Sequence, residues 1–397
     1  MRSSDFIFII SLLTILVTDI LLGYQFRQYL RKKWQISLYC CQALLFIVAL
    51  FAFRFYINRL KGPEGYFWIE KIIGILFLFY VPKFTFILLN GLSLLSSKLN
   101  FLFSCSMKIL AWGVSGLLFL LLLFSLTLGR YNYKIEIIPV PVKNLPMAFD
   151  GFKIIQLADL HLGSYGKSYK GISKLVKEVN ALHPDLIVFT GDMVNNFADE
   201  MLPWIEELKK LEAPFGKYAV TGNHDYGDYT RWPSPKAKQE NMQCFYKHMK
   251  EMGFHMLNNT NVPLIAQGDT LWLAGVENWG KPPFPRYGKL DKAIDSIRSQ
   301  APIVLLSHDP SHWRAEIAGY HTIPLTLSGH THAMQMGIKI GNKEWSPAKY
   351  LYPEYDGLYN ENNQYLYVSR GQGYLGFPGR IGLRSVITEL ILHPLQY

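Results

Sequence analysis

The sequence predicts an α/β protein built in two parts. Four membrane-spanning helices come first, and a layered domain of mixed β-sheets flanked by helices follows. Three observations predict this. Four long apolar segments fall within the first 130 of 397 residues. Beyond residue 150, short apolar runs of strand length alternate with stretches of helical spacing, the pattern of layered α/β domains. All eleven histidines lie after residue 160, several of them directly after an apolar run.

The apolar segments are 6–24, 36–53, 72–90 and 110–128. Each is near the roughly 20 residues needed to cross a bilayer as a helix. No small-residue cleavage site follows the first; Tyr24-Gln25-Phe26-Arg27 does, so the segment reads as an anchor and not as a signal peptide. The third is interrupted by Pro82-Lys83. Residues 1–130 hold 13 Lys and Arg against 4 Asp and Glu, a net of +9, and the rest hold 27 against 26, a net of +1. The basic excess therefore belongs to the membrane region, as topology signal and headgroup contact. The near-neutral remainder carries no nucleic-acid-binding signature. Arg27, Arg31, Lys32 and Lys33 form the densest basic cluster and place that loop in the cytoplasm, with both termini and the large domain extracytoplasmic. Arg54, Arg59, Lys61 and Lys71 pull the other way. Asp19 and Lys83 sit inside apolar segments. Asp19 reads as near a helix end and Lys83 as reaching the interface at the proline break; a pair between them is the alternative. Cys40, Cys41 and Cys105 lie in or beside apolar segments and Cys244 is alone in the second part, so that part forms no internal disulfide.

The expected organisation is a transmembrane region, 1–130, a linker, 131–149, kept extended by Pro139, Pro141 and Pro146, and a soluble domain, 150–397. Strands are expected at 152–158, 185–190, 217–221, 302–306, 324–327, 364–369 and 385–392, with a meander through 255–257, 264–265 and 270–276. Helices are expected at 169–182, where Ile172, Leu175, Val176 and Val179 keep helical spacing, and at 201–211, 236–252 and 291–298.

Five short motifs follow apolar runs: Asp159-Leu160-His161, Gly191-Asp192, Gly222-Asn223-His224-Asp225, Ser307-His308-Asp309 and Gly329-His330-Thr331-His332. In layered α/β folds the loops after strand ends form the ligand crevice, so residues this far apart in sequence can converge. If the backbone at His330 and His332 is extended, the two rings point to opposite sides and can serve neighbouring ions. Oxygens and imidazoles without a thiolate suit Mn, Fe, Zn, Co or Ni. Seven such side chains exceed what one catalytic ion takes and suit two. Taken singly, Asp159 and Asp192 could be helix N-caps, Gly222-Asn223 a turn, and His308-Asp309-Pro310 a helix start. His183, His248, His255, His312, His321 and His393 read as structural or exposed. The stretch from Trp279 to Tyr287 reads as packing, or as a loop over the cleft.

These five motifs, in this order over about residues 150–385, resemble the calcineurin-like metallophosphoesterase superfamily. The resemblance implies a sandwich of two mixed β-sheets flanked by helices, holding two divalent metal ions. It implies that Asp159, His161 and His332 hold the first ion, that Asn223, His308 and His330 hold the second, and that Asp192 bridges both. It also implies that His224 protonates or stabilises the leaving oxygen, with Asp225 orienting its ring. Two such ions, about 3.5–4 Å apart, neutralise a phosphate ester and generate a bridging hydroxide that attacks in line. The wording Asp159-Leu160-His161-Leu162-Gly163 and the tail from Ser369-Arg370-Gly371 to Gly379-Arg380 are similar to the membrane-associated bacterial branch, which includes phosphodiesterases and UDP-diacylglucosamine pyrophosphohydrolase-like enzymes. That branch often has Gly-Gly-Gln after the last motif, where Ala333-Met334-Gln335 stands here. The implied protein is a multi-pass phosphoesterase of a bacterial inner or plasma membrane. Its substrate would be a phosphodiester or pyrophosphate, with a lipid-linked one suggested by location. Arg370 and Arg380 could grip a phosphate, or pair with acids. The alternatives are a phosphoprotein or phosphomonoester phosphatase and a non-catalytic membrane sensor of phosphorylated ligands.

Overall fold

The computed structural model describes residues 3–27, 32–57, 62–97, 100–166, 168–297, 300–341 and 343–395. Arg31, Arg59 and Lys61, used above for topology, and Arg298, the last residue of an expected helix, lie outside them. The chain divides into two compact units, Met1–Leu128 with Gly376–Pro378, and Gly129–Leu375 with Gly379–Tyr397.

The first unit holds α1 (Ser3–Phe26), α2 (Lys33–Ile57), α3 (Pro63–Ser96) and α4 (Phe101–Thr127), each long and apolar enough to cross a membrane. Helix α3 runs through Pro82 without a break, which corrects the expected interruption. A proline inside a membrane helix is tolerated where neighbouring groups take up the released carbonyl. Lys83 does not reach for an interface. Its ammonium lies 2.6 Å from Asp19 Oδ1 and donates to Gln42 Oε1 at 2.9 Å, while the Tyr80 hydroxyl donates to Asp19 Oδ2 at 2.9 Å. A lone charge at this depth is costly, so each charge supplies the other's missing solvent. The same pairing ties α1, α2 and α3 together.

The second unit contains, in chain order, β1 (Lys134–Val142), β2 (Phe152–Leu157), α5 (Lys170–Ala181), β3 (Leu186–Phe189), α6 (Ile205–Leu208), β4 (Lys217–Ala219), α7 (Pro235–Glu251), β5 (Phe254–Met256), β6 (Thr260–Ala266), β7 (Asp269–Gly275), α8 (Leu290–Ile294), β8 (Ile303–Leu306), β9 (Leu325–Ser328), β10 (Ile338–Ile340), β11 (Lys343–Trp345), β12 (Gly357–Glu361), β13 (Gln364–Val368) and β14 (Val386–Pro394). They build two mixed six-stranded sheets, β1-β14-β2-β3-β4-β5 and β12-β13-β9-β8-β7-β6, and a separate β10-β11 hairpin. Strands β2 to β5 run parallel, as do β7, β8, β9 and β13.

Alternation along each strand explains the layers. Ile154, Leu186 and Val188 on one sheet face Leu273, Val304, Leu306 and Leu327 on the other, in a core between the sheets. Their neighbours Ile155, Ile187 and Phe189 point outward onto Ile172, Leu175, Val176 and Val179 of α5 and Phe245 and Met249 of α7. On the far side Ile303, Leu305, Leu366 and Val368 pack on Leu290 and Ala293 of α8 and on Trp313. Both faces of each sheet are covered, so the central strands read as unbroken apolar runs.

Residues 131–149, expected to be a linker, contain a nine-residue strand: β1 lies parallel to β14, with Lys134 opposite Val386 and Val142 opposite Pro394. Pro139 and Pro141 fit because β1 is an edge strand, where a missing N–H is not needed. The expected helix at 201–211 is a 3-10 turn over Ala198–Trp204 followed by the single turn α6, and Pro203 stands inside the tighter segment.

Candidate metal centre

The motif residues stand at the ends of β2, β3, β8 and β9 and in the loop after β4, at one end of the paired sheets. Two groups form there. Ligand-type atoms of Asp159, His161, Asp192 and His332 lie within 4.8 Å of one another, and so do those of Asp192, His308 and His330. Asp192 belongs to both. In the first group His161 Nε2 and His332 Nε2 are 3.1 Å apart, His332 Nε2 is 3.6 Å from Asp159 Oδ1, and His161 Nε2 is 3.7 Å from Asp192 Oδ2. In the second, Asn223 Oδ1 lies 3.1 Å from His308 Nε2 and 2.8 Å from His330 Nδ1, and His308 Nε2 is 3.2 Å from Asp192 Oδ2. All seven side chains named as ligands from the sequence are thus brought together.

The backbone bends sharply to achieve this. Asp159, His161, Asp192, His330 and His332 have φ of 53°, 48°, 61°, 74° and 50°. Non-glycine residues rarely adopt such values, and strain of this kind gathers at functional sites. His330 and His332 are therefore not extended, as the sequence argument supposed. The turn still parts them, one ring to each group. Close approach also demands glycine: a Cβ on Gly222 would stand 2.2 Å from Asp192 Oδ1. Nor is Asp159 or Asp192 a helix cap. Asp159 accepts the His330 N–H at 3.0 Å, and Asp192 Oδ1 accepts that of His224 at 2.9 Å.

Outer partners decide which nitrogens face inward. His308 Nδ1 donates to the Thr190 carbonyl at 2.7 Å and His161 Nδ1 meets Asn195 Oδ1 at 3.0 Å, so in each neutral ring the lone pair is on Nε2, which points into the centre. His330 turns the other way, with Nε2 on the Tyr352 hydroxyl at 2.9 Å and Nδ1 inward. His332 Nδ1 is buried without a hydrogen-bond partner. Burial pushes His161 down to about 3 and His330 to about 4, and holds His332 well below the usual imidazole range, so these rings carry lone pairs and not protons. Burial also opposes charge on His308, but the facing Asp192 carboxylate overrides it and lifts that ring to about 10. Positive charge is therefore wanted where the Asp192 and Asn223 oxygens converge. Inward lone pairs, buried carboxylates and a demand for positive charge fit divalent cations at both groups.

One expectation changes. Asp225 does not orient the His224 ring. Its carboxylate accepts the backbone N–H groups of Asp192, Met193, Val194 and Gly222 at 3.0, 2.8, 3.2 and 2.8 Å, binding the β3 loop to the β4 loop. The partner of His224 Nδ1 is the Asn195 carbonyl, at 2.9 Å. For Arg370 the structure shows the acid pairing that was one of its two readings: its guanidinium meets Asp356 at 2.9 and 2.6 Å, Glu344 at 3.1 Å and Glu136 at 3.6 Å. Arg380 likewise serves the fold, donating to the carbonyls of His332, Arg370 and Gly373.

Sequence reasoning missed Asn195, Glu200, Tyr352 and Tyr229. Asn195 bonds two rings at once. Buried Glu200 accepts the N–H groups of Gly163, Asn195, Asn196 and Phe197 and so joins the β2 and β3 loops. The Tyr229 hydroxyl accepts from Asn223 Nδ2 at 2.9 Å, which turns the amide oxygen inward. A buried Asn-Asn pair three residues beyond Asp192 was a usable signal; Tyr229 and Tyr352 left none.

A family model described as "Calcineurin-like phosphoesterase" matches residues 152–334. The chain is similar to an uncharacterized metallophosphoesterase, YkuE, of Bacillus subtilis, with 32% identity over 255 residues, 62% of this chain and 81% of the relative. It is also similar to a transmembrane protein with metallophosphoesterase domain from Danio rerio, with 31% identity over 268 residues, 65% of this chain and 57% of the relative. A bovine protein of the same description matches at 32% identity, and the chain spans little more than half the length of these two vertebrate relatives. Among solved structures, a dimetal phosphatase from Danio rerio aligns with 56% of this chain and 88% of its own at 12% identity and a TM-score of 0.35. With the motifs, the convergent site and a relative matched over most of its length, this chain belongs to the calcineurin-like phosphoesterase family.

Proposed function

We propose that the protein is a membrane-anchored, dinuclear-metal phosphoesterase that cleaves a phosphodiester or pyrophosphate bond in a lipid-linked substrate. The observation that carries the dinuclear reading is the position of Asp192, whose carboxylate belongs to both ligand groups at once. Asp159, His161 and His332 hold one ion, and Asn223, His308 and His330 the other. Two divalent ions there supply the positive charge that a phosphate ester needs and acidify water at neutral pH. The protein's part is to orient. Asn195, Thr190 and Tyr352 fix the rings, while Asp225 and Glu200 fix the loops. With Nδ1 on a carbonyl, His224 has Nε2 left to carry a proton to the leaving oxygen.

Lipid linkage rests on the four membrane-length helices, and the extracytoplasmic placement on the basic sequence cluster that includes Arg27, Lys32 and Lys33. Purified protein with Mn should hydrolyse bis(p-nitrophenyl) phosphate faster than p-nitrophenyl phosphate, and Asp192→Ala should abolish both activities along with two-metal binding. A preference for the monoester would favour the phosphatase reading. Tight phosphate binding without turnover under any divalent metal would favour the sensor.

A further inference from the structure

The first unit contains a cleft of about 530 Å³ between α1 and α2. One wall carries Ile15, Asp19 and Gly23 of α1 and Arg27 just past its end, and the α2 wall includes Ile36 and Cys40. These residues recur every four positions, one face of α1 carried on into the turn that follows it. Lys33 stands three residues before Ile36 and so continues the α2 stripe. Arg27, which lines the cleft, directly follows the last residue of α1, and Lys33 is the first residue of α2, so both cations stand at the same end of the helix pair. Arg27 lies over the Tyr24 ring at 4.2 Å, a pairing suited to a headgroup plane. Deeper in, the wall is mostly apolar; the Asp19 carboxylate is already engaged by Lys83 and Tyr80, the Tyr39 hydroxyl by the Asp19 carbonyl, and Cys40 is a thiol. From Ile15 to Arg27 the helix rises roughly 18 Å. One leaflet of hydrocarbon is about 15 Å deep.

We propose that this cleft seats one acyl chain of an anionic phospholipid, with its phosphate held between Arg27 and Lys33. The proposal rests on the four helices crossing a bilayer, and not on the reading of the metal centre. Depth, apolar lining and a two-cation mouth together select the ligand. An uncharged amphiphile would leave the mouth unused, and a free phosphate would leave the shaft unused. The helices touch at residues that themselves line the cleft: a Cβ on Gly23 would meet the Tyr39 ring at 3.2 Å, and the Tyr39 hydroxyl donates to the Asp19 carbonyl. The opening is thus a gap between fixed walls.

The test uses full-length protein in bilayers of phosphatidylcholine and phosphatidylglycerol, with a photoactivatable acyl chain placed on one lipid or the other. Adducts are mapped by peptide mass spectrometry. Adducts should concentrate on the cleft walls, with the phosphatidylglycerol probe preferred roughly tenfold or more, the scale that two basic residues near anionic headgroups supply. Arg27→Gln with Lys33→Gln should bring the two probes to parity. Ala43→Trp, which fills the shaft without touching charge, should remove the cleft adducts. Thermal unfolding confirms that both variants fold. Equal labelling by the two lipids in the unaltered protein overturns the proposal. So do adducts spread evenly to exposed Leu38 and Leu45, a double variant that labels like the parent, or displacement of the lipid by inorganic phosphate alone.

Discussion

The carboxylate of Asp225 receives the backbone N–H of Asp192 at 3.0 Å, so the residue shared by the two ligand groups is held from behind by a second acid. Asp225→Asn replaces acceptor lone pairs with an NH2 facing donors. Metal affinity should fall about 10- to 100-fold, the usual effect of losing an outer partner. Because Asp225 does not touch the His224 ring, the pH profile of the remaining activity should keep its shape. Isothermal titration with Mn and a pH–rate series check both parts.

Asn195→Ala separates two functions of one residue. The side chain that fixes His161 is lost, while the carbonyl that fixes His224 stays. The group containing His161 and His332 should then bind its ion about 10- to 100-fold more weakly, with the other group nearly unchanged. Metal analysis after partial chelation should show one ion per chain where the parent retains two.

Arg370→Met should damage folding and spare substrate affinity. Asp356, Glu344 and Glu136 would lose their common cation, and breaking a buried pair in this way removes about 3–5 kcal/mol. Denaturant midpoints should drop sharply, with KM unchanged in whatever fraction remains folded.

In the membrane unit, Asp19→Asn should lower the thermal midpoint in detergent more than the double variant Asp19→Asn with Lys83→Met. The single change strands the Lys83 ammonium among apolar helices, whereas the double change removes both charges. The double-mutant cycle measures the coupling.

Lys217 gives a pH dependence away from the metal centre. Burial lowers its ammonium to about 8, and its Nζ donates to the Lys209 carbonyl at 3.1 Å. Between about 8 and the unfolded value of 10.5, the unfolded chain binds more protons than the folded one, so this group makes stability rise with pH across that window. Below about 8 the burden is fully present. Lys217→Met should therefore stabilise the protein at pH 7 and flatten the rise between pH 8 and 10, measured by urea unfolding.

Much of the site was legible because each ligand follows a short apolar run of strand length. Val304 to Leu306 leads into His308, and Leu325 to Leu327 into His330. What was illegible depends on partners distant in sequence. Nothing around Asp225 announces that four backbone N–H groups from two loops will close on it, so the neighbouring histidine looked like its natural partner. For Arg370, beside glycine, a phosphate grip and acid pairing stood open together, since one partner, Glu136, lies more than 230 positions upstream. Strand β1 was hidden by its prolines, which argue against a strand everywhere except at a sheet edge. The pairing of Asp19 with Lys83 was weighed below its alternative, because hydropathy alone cannot say which sides of two helices meet.

The position of β1 bears on how the second unit can be handled alone. The family match starts at Phe152, and a truncation guided by it would omit β1 entirely. Nine residues of β14 would then present bare edge groups to solvent, and Arg370 would lose Glu136. Such a trimmed protein invites sticking between copies along the uncovered strand. A cut made ahead of Gly129 retains the whole second unit and keeps that edge closed.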